Sequence, residues 1–163
     1  MLHIVVSDTN ILINLCIAGR LSLLGDLPSV RFVVPREVQR EMQRGRGRRY
    51  VGDFFRAVNE GYLEVNDVAG DVARSIFAEC VEEFGLDHGE SAGLALAVQN
   101  GWLFATVDAA AFDRATIMLG HMRVVHLEDI LEVALTSGLM TAQEREQALQ
   151  LLEERNRYRR RGS

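Results

Sequence analysis

The sequence predicts a single α/β domain, a three-layer α/β/α sandwich whose parallel sheet is covered by helices on both faces. Short β-branched runs alternate along the chain with longer segments of helical periodicity. The runs are apolar throughout, which is typical of parallel strands that are buried on both faces. A length of 163 residues suits one such domain.

Five runs are predicted strands, and each is followed by at least one predicted helix. The strands are expected at Leu2–Val6, Arg31–Val34, Leu63–Val65, Leu103–Val107 and Arg123–His126. The helices are expected at Ile11–Ala18, Pro35–Gln43, Tyr50–Asn59, Val72–Phe84, Glu90–Asn100, Ala109–Leu119, Glu128–Thr136 and Thr141–Arg157. Pro35 suits a first helical turn, Gly61, Gly101 and Gly120 suit helix ends, and Thr141 with Glu144 suits a capping box.

Composition excludes several classes of protein. No apolar run approaches the roughly 18 residues of a membrane span, and no secretory signal pattern precedes the first strand, so a cytoplasmic location without a membrane partner is expected. Cys16 and Cys80 are too few for a disulfide framework or a zinc site. The net charge of −5 argues against a general nucleic-acid binder.

Two aspartates are predicted at the carboxyl end of the sheet, where open parallel sheets bind their ligands. Asp8 follows the first strand directly after Ser7, and Asp108 directly follows the fourth strand. A helix-capping role is the alternative for both aspartates, because an Asp that leads into a helix often caps it.

Two glutamates on predicted helices are further candidates. Glu41 shares a helix face with Val38, and a carboxylate beside a buried stripe is costly unless it has a partner or a metal. A solvated glutamate is the alternative. Glu90 follows Asp87 by three residues, so a capping box explains it equally well, with Asp87 and His88 in accessory or capping roles. Small side chains after Glu90 allow this helix to approach the strand ends.

A cluster of carboxylates points to a bound cation. The charges repel one another, which raises their pKa values and costs stability unless a cation neutralises them. Mg²⁺ and Mn²⁺ prefer oxygen ligands, activate water and screen the charge of a phosphodiester. The pattern therefore indicates metal-dependent phosphodiester hydrolysis.

Four motifs in this order resemble the PIN-domain ribonucleases, and among them the VapC-like toxins of type II toxin–antitoxin pairs. The motifs are Ser7-Asp8-Thr9-Asn10, Pro35-x-x-Val38-x-x-Glu41, Asp87-x-Gly89-Glu90 and Thr106-x-Asp108. The resemblance implies a five-stranded parallel sheet in the order 3-2-1-4-5. It further implies a catalytic domain over residues 1–136, with residues 137–163 as a C-terminal helix and basic tail of the same domain.

The resemblance also implies a set of site residues. The catalytic carboxylates would be Asp8, Glu41, Glu90 and Asp108, placed around one or two Mg²⁺ or Mn²⁺ ions, with Asp8, Glu90 and Asp108 as metal ligands. Asn10 and Thr106 would orient these carboxylates through hydrogen bonds. Many members carry another acidic residue just after the last motif. Here Asp113 is a candidate ligand, with a solvated helix residue as the alternative.

The activity implied is that of an endoribonuclease toxin that hydrolyses RNA, pairs with a small antitoxin protein and forms a homodimer. All 18 basic residues are arginines, and RNA contacts are expected from Arg44, Arg46, Arg48 and Arg49, with a flexible solvated loop as the alternative. The Arg155–Arg161 tail is expected to be disordered, with contact to RNA or to an acidic antitoxin as the alternatives. A catalytically weak interaction module is the main alternative function. A receiver or small phosphatase is disfavoured because the chain has no lysine.

Overall fold

The computed structural model describes residues 2–162, which form a five-stranded sheet in the order β3-β2-β1-β4-β5. All four strand pairings are parallel. The strands are β1 (His3–Ser7), β2 (Val30–Pro35), β3 (Leu63–Asn66), β4 (Leu103–Ala105) and β5 (Val124–Val125). The predicted fold class and strand order are therefore confirmed.

Helices connect every pair of consecutive strands. They are α1 (Thr9–Ile17), α2 (Leu23–Asp26), α3 (Arg36–Met42), α4 (Val51–Asn59), α5 (Asp71–Glu82), α6 (His88–Asn100), α7 (Ala109–Leu119), α8 (Leu127–Thr136) and α9 (Ala142–Asn156). The short helix α2 was not predicted. Pro35 is the last residue of β2 and the N-cap of α3, so its predicted place in the first helical turn is wrong by one position.

Alternate side chains of the central strand enter two different hydrophobic cores. Val5 belongs to a core with residues of α1, α3, α4, α8 and α9, whereas Val6 belongs to a core with residues of α5, α6 and α7. This is the expected result for neighbouring strand residues, whose side chains point to opposite faces. Helices therefore cover both faces of the sheet, as predicted.

The small side chains of α6 let this helix lie directly on the sheet. The segment Gly89–Ala97 is buried throughout, and a Cβ atom on Gly93 would lie only 2.8 Å from the ring of Phe104 on β4. A tight helix–sheet contact of this kind brings the N-terminus of α6 to the carboxyl ends of the strands. The predicted approach of this helix to the strand ends is therefore found.

The C-terminal tail is docked against the domain, so the expected disorder is wrong. Tyr158 is 9% exposed, and its hydroxyl donates to Glu128 Oε1 at 3.1 Å. Arg160 bonds to Glu146 and Glu153, and Arg161 bonds to Asp129. Carboxylates on α8 and α9 neutralise part of the basic tail, which is why a block of like charge can be held in place.

Within residues 2–162, no helix is both long and apolar enough to cross a membrane.

Candidate active site

Asp8 is fixed at the end of β1 by one backbone and two side-chain hydrogen bonds. Its backbone continues the β1–β4 ladder, since Asp8 N–H donates to the carbonyl of Ala105 at 3.2 Å. Asp8 Oδ1 accepts from Ile11 N–H at 2.9 Å and so caps α1. Oδ2 accepts from the Thr106 hydroxyl at 2.5 Å. The carboxylate is only 1% exposed, so its orientation is set by the fold.

Asp108 occupies the equivalent place after β4. Its Oδ1 caps α7 by accepting from Ala111 N–H at 2.9 Å, and its own N–H donates to the Thr106 hydroxyl at 3.1 Å. The Thr106 side chain therefore links the two aspartates. These are hydrogen bonds of the kind that the predicted orienting role of Thr106 requires. Both aspartates are helix caps as well as candidate ligands, so the two interpretations of them are compatible.

Glu41 reaches the N-terminus of α6 from α3. Its Oε1 accepts from Gly89 N–H at 2.9 Å, and its Oε2 accepts from the Thr9 hydroxyl. A Cβ atom on Gly89 would lie 2.5 Å from Glu41 Oε2. Only a glycine leaves room for this carboxylate against the helix, so Gly89 and Thr9 determine where Glu41 lies.

Glu90 is buried in the first turn of α6, with 7% of its surface exposed. It forms the predicted capping box: Asp87 N–H donates to Glu90 Oε2 at 3.3 Å, and Glu90 N–H donates to Asp87 Oδ1 at 2.7 Å. A capping glutamate ordinarily faces solvent. The burial of Glu90 beside other acidic groups is therefore not explained by capping alone.

Burial and neighbouring negative charges disfavour the ionisation of Asp8, Glu41 and Glu90. Burial, followed by the charges of Asp87 and Asp108, raises the pKa of Asp8 to about 7. Burial, followed by the charges of Asp87, Asp108 and Asp8, raises the pKa of Glu90 to about 8. The pKa of Glu41 is also raised, mainly by burial and next by Asp87. The charges of Asp8, Asp108 and Glu90 are therefore close to one another, whereas Glu41 is linked to this group through Asp87.

The donor set suits a hard divalent cation, although the side chains are not yet arranged around one. In residues 2–162, no group of three or more Asp, Glu, His or Cys side chains stands ready to hold a metal. In their present rotamers Asp8, Glu90 and Asp108 act as helix caps. The carboxylates fit Mg²⁺ or Mn²⁺ by chemistry, because both ions prefer oxygen ligands.

A cavity of about 690 Å³ is lined by Glu41, but not by Asp8, Glu90 or Asp108. Its lining also includes Asp87 and His88, together with Arg44 and Arg46. Arg46 lies in a 3₁₀ helix, Gly45–Tyr50, and Arg44 is the N-cap of this helix. The 3₁₀ helix replaces the flexible loop considered from sequence.

The remaining predicted site residues are divided between this cavity and other surfaces. Asn10 lines the cavity, but no hydrogen bond to the four carboxylates is found for its side chain within residues 2–162. Arg48 and Arg49 are exposed and do not line the cavity. Asp113 is exposed and lines a separate cavity with Phe84 and Arg114, so the structure does not bring it to the cluster.

Sequence reasoning missed three residues that shape the site. Thr9 holds Glu41, Gly89 makes room for it, and Asn14 is a buried polar side chain on α1 that is 2% exposed. Thr9 and Gly89 lie inside the recognised motifs, so their roles could have been suspected. Asn14 follows Asn10 by four residues, and this helical spacing was its one available signal.

The buried charge of Glu90 predicts a pH-dependent effect of Glu90→Gln on stability. A folded-state pKa above the unfolded value means that stability is lost as pH rises from about 4 to about 8. The Gln side chain keeps the cap without the charge. In chelator we expect the Tm of Glu90→Gln to match wild type near pH 5 and to exceed it by roughly 3–10 °C near pH 8. Thermal unfolding by circular dichroism measures this difference, and a difference independent of pH would contradict it.

A family model agrees with this geometry. The DUF3368 model, described as a PIN domain, matches residues 4–161. Comparison with curated proteins gives no match. The match spans nearly the whole chain, including the four motifs and the docked tail. The chain therefore belongs to the PIN-domain family.

Proposed function

We propose that this protein is a divalent-metal-dependent ribonuclease. The observation that carries the proposal is the convergence of Asp8, Glu90 and Asp108 from three separate elements. Thr106 links the two aspartates by hydrogen bonds, and the charges of both raise the pKa of Glu90. Such a cluster lowers the stability of the folded protein, so it is expected where a bound cation neutralises the carboxylate charges. PIN domains are generally nucleases, which supports phosphodiester hydrolysis as the reaction.

The chain's own residues would divide the work. Asp8, Glu90 and Asp108 would hold Mg²⁺ or Mn²⁺, and Thr106 keeps Asp8 oriented through its hydroxyl. Glu41 lies at the edge of the cavity, where it can accept a hydrogen bond or a proton from a nucleophilic water. The bound ion would supply Lewis acidity that activates water and screens the phosphate charge.

Positive charge in the cavity that Glu41 lines favours a nucleic-acid substrate. Arg44 and Arg46 line the same cavity as Glu41, and guanidinium groups bind phosphates through paired hydrogen bonds. An acidic site needs such a rim to attract a polyanion. The toxin role, the antitoxin partner and the homodimer stay predictions from the resemblance.

Cleavage of a labelled single-stranded oligoribonucleotide tests the proposal. We expect cleavage with Mn²⁺ or Mg²⁺, loss of cleavage in excess chelator, and recovery when Mn²⁺ is added back. Thermal stability with and without Mn²⁺ is measured on the same preparation. Stabilisation by Mn²⁺ without any cleavage would favour the interaction-module alternative, and equal cleavage in chelator would exclude metal dependence.

A further inference from the structure

A second cavity adjoins the first and is lined by arginines. It measures about 270 Å³ and shares Asn10 and Arg46 with the larger cavity. Arg157 and Arg159 of the C-terminal tail complete its basic lining, and no carboxylate is among the lining residues. The larger cavity, in contrast, includes Glu37, Glu41 and Asp87. The second cavity is therefore the more positive of the two.

A series of hydrogen bonds connects the 3₁₀ helix Gly45–Tyr50, which carries Arg46, to the C-terminal end of α9. Arg46 donates to the Asn156 side-chain oxygen, and Asn156 Nδ2 donates to Asn14 Oδ1 at 2.7 Å. Asn14 is buried on α1, the helix that follows Asp8. The end of α9 and the 3₁₀ helix Gly45–Tyr50 are therefore both fixed to α1. The basic cavity has a defined position relative to the carboxylates.

The arginines of the tail fall into two groups. Arg160 and Arg161 are bound to carboxylates, and together with buried Tyr158 they attach the tail to the domain. Arg157 and Arg159 line the second cavity and form no ion pair within residues 2–162. The tail therefore presents two guanidinium groups to this cavity while its neighbours secure it.

The left-handed backbone conformation of Arg157 indicates a functional role for its side chain. Arg157 ends α9 in the left-handed conformation, with φ of +52°. This conformation is costly for a residue with a Cβ atom, and helices commonly end in it with glycine. An arginine at such a position is unfavourable for the local backbone, which is typical of residues retained at functional sites.

We propose that the second cavity binds a backbone phosphate of the RNA strand next to the bond that is cleaved. This inference rests on the proposed function. Asn10 and Val107 line the cavity and lie next to the segments that carry Asp8 and Asp108, so a strand seated at the carboxylates can continue into it. The two cavities share Asn10 and Arg46, which places the second cavity beside the proposed nuclease site and favours RNA over an acidic protein segment as its occupant.

Fluorescence anisotropy in chelator tests this assignment without cleavage, with a labelled single-stranded oligoribonucleotide as the probe. The variant Arg157→Gly/Arg159→Gln should bind about tenfold more weakly, and the slope of log affinity against log salt should become shallower by about 0.7, for one lost phosphate contact on a single strand. Arg155→Gln is the matched control, because Arg155 is exposed in the last turn of α9 and lines neither cavity. The control should bind like wild type.

Thermal unfolding separates lost binding from lost folding. Glycine suits the left-handed backbone better than arginine, so Arg157→Gly alone should keep or raise the Tm while RNA binding weakens. Wild-type affinity and salt slope in the double variant, or an equal loss in Arg155→Gln, would overturn the inference. If wild type cleaves RNA while the double variant binds normally, only this inference fails. If wild type neither binds nor cleaves RNA, the proposed function fails with it.

Discussion

Asp8→Asn is expected to lower metal-dependent RNA cleavage by roughly 10²–10³-fold while the protein stays folded. The asparagine can still accept from Ile11 N–H, and its amide can donate to the Thr106 hydroxyl in place of the bond that this hydroxyl now donates. The cap and the helix geometry are therefore kept. What is lost is an anionic oxygen at the centre of the cluster. Initial cleavage rates at saturating Mn²⁺ measure the loss.

Although Asp8→Asn should lose activity, the thermal stability of the metal-free variant should be kept or increased. Burial raises the pKa of Asp8 to about 7, so its ionised form is unfavourable in the metal-free folded state above neutral pH. We expect the Tm of the variant in chelator at pH 8 to equal or exceed that of wild type, and Mn²⁺ to stabilise wild type more than the variant. A variant that cannot cleave and is also unfolded would contradict this prediction.

Asp113→Asn is the matched control for the loss of a carboxylate. Asp113 is exposed on α7 and lies in a different cavity from the cluster. Its substitution should leave the cleavage rate within about twofold of wild type, because an exposed surface substitution usually has a small effect. A loss comparable to that of Asp8→Asn would return Asp113 to the set of metal ligands.

The fold was predictable because the strands are apolar throughout and the connections are helical. Parallel strands place their carboxyl ends at one edge of the sheet, so Asp8 and Asp108 could be assigned to one edge from sequence alone. The register of β1 and β4, in which Ser7 lies opposite Ala105, then places the two aspartates near each other. The strand order itself came from the family resemblance and not from hydrophobic patterning.

Contacts between distant segments were the part that sequence could not supply. Tail docking depends on carboxylates of α8 and α9 that have no sequence signal as partners of Arg160 and Arg161. The 3₁₀ helix Gly45–Tyr50 packs against the end of α3, where Gly47 is buried. Periodicity detects which face of a helix is buried, but it does not reveal which distant polar group will meet it.

The contact between Gly89 and Glu41 leads to the second large expected effect. Gly89→Ala places a Cβ atom 2.5 Å from Glu41 Oε2 and 2.8 Å from Oε1, so the carboxylate must leave its position against α6. We expect cleavage to fall by roughly 10–100-fold, as when a supporting contact of a metal site is lost. Alanine also favours helix by up to about 1 kcal/mol over glycine, so the Tm should change little. Initial rates and thermal unfolding measure the two effects.

Gly52→Ala is a close structural match, because both glycines are the second residue of their helices. A Cβ atom on Gly52 meets nothing within 4 Å, so this variant should keep full activity and gain a small amount of stability. A double-mutant cycle with Glu41→Gln then tests the mechanism. If Gly89→Ala acts through the Glu41 carboxylate, it should cost little further activity once that carboxylate is gone. Additive losses would mean that Gly89 serves the site by some contact other than its space for Glu41.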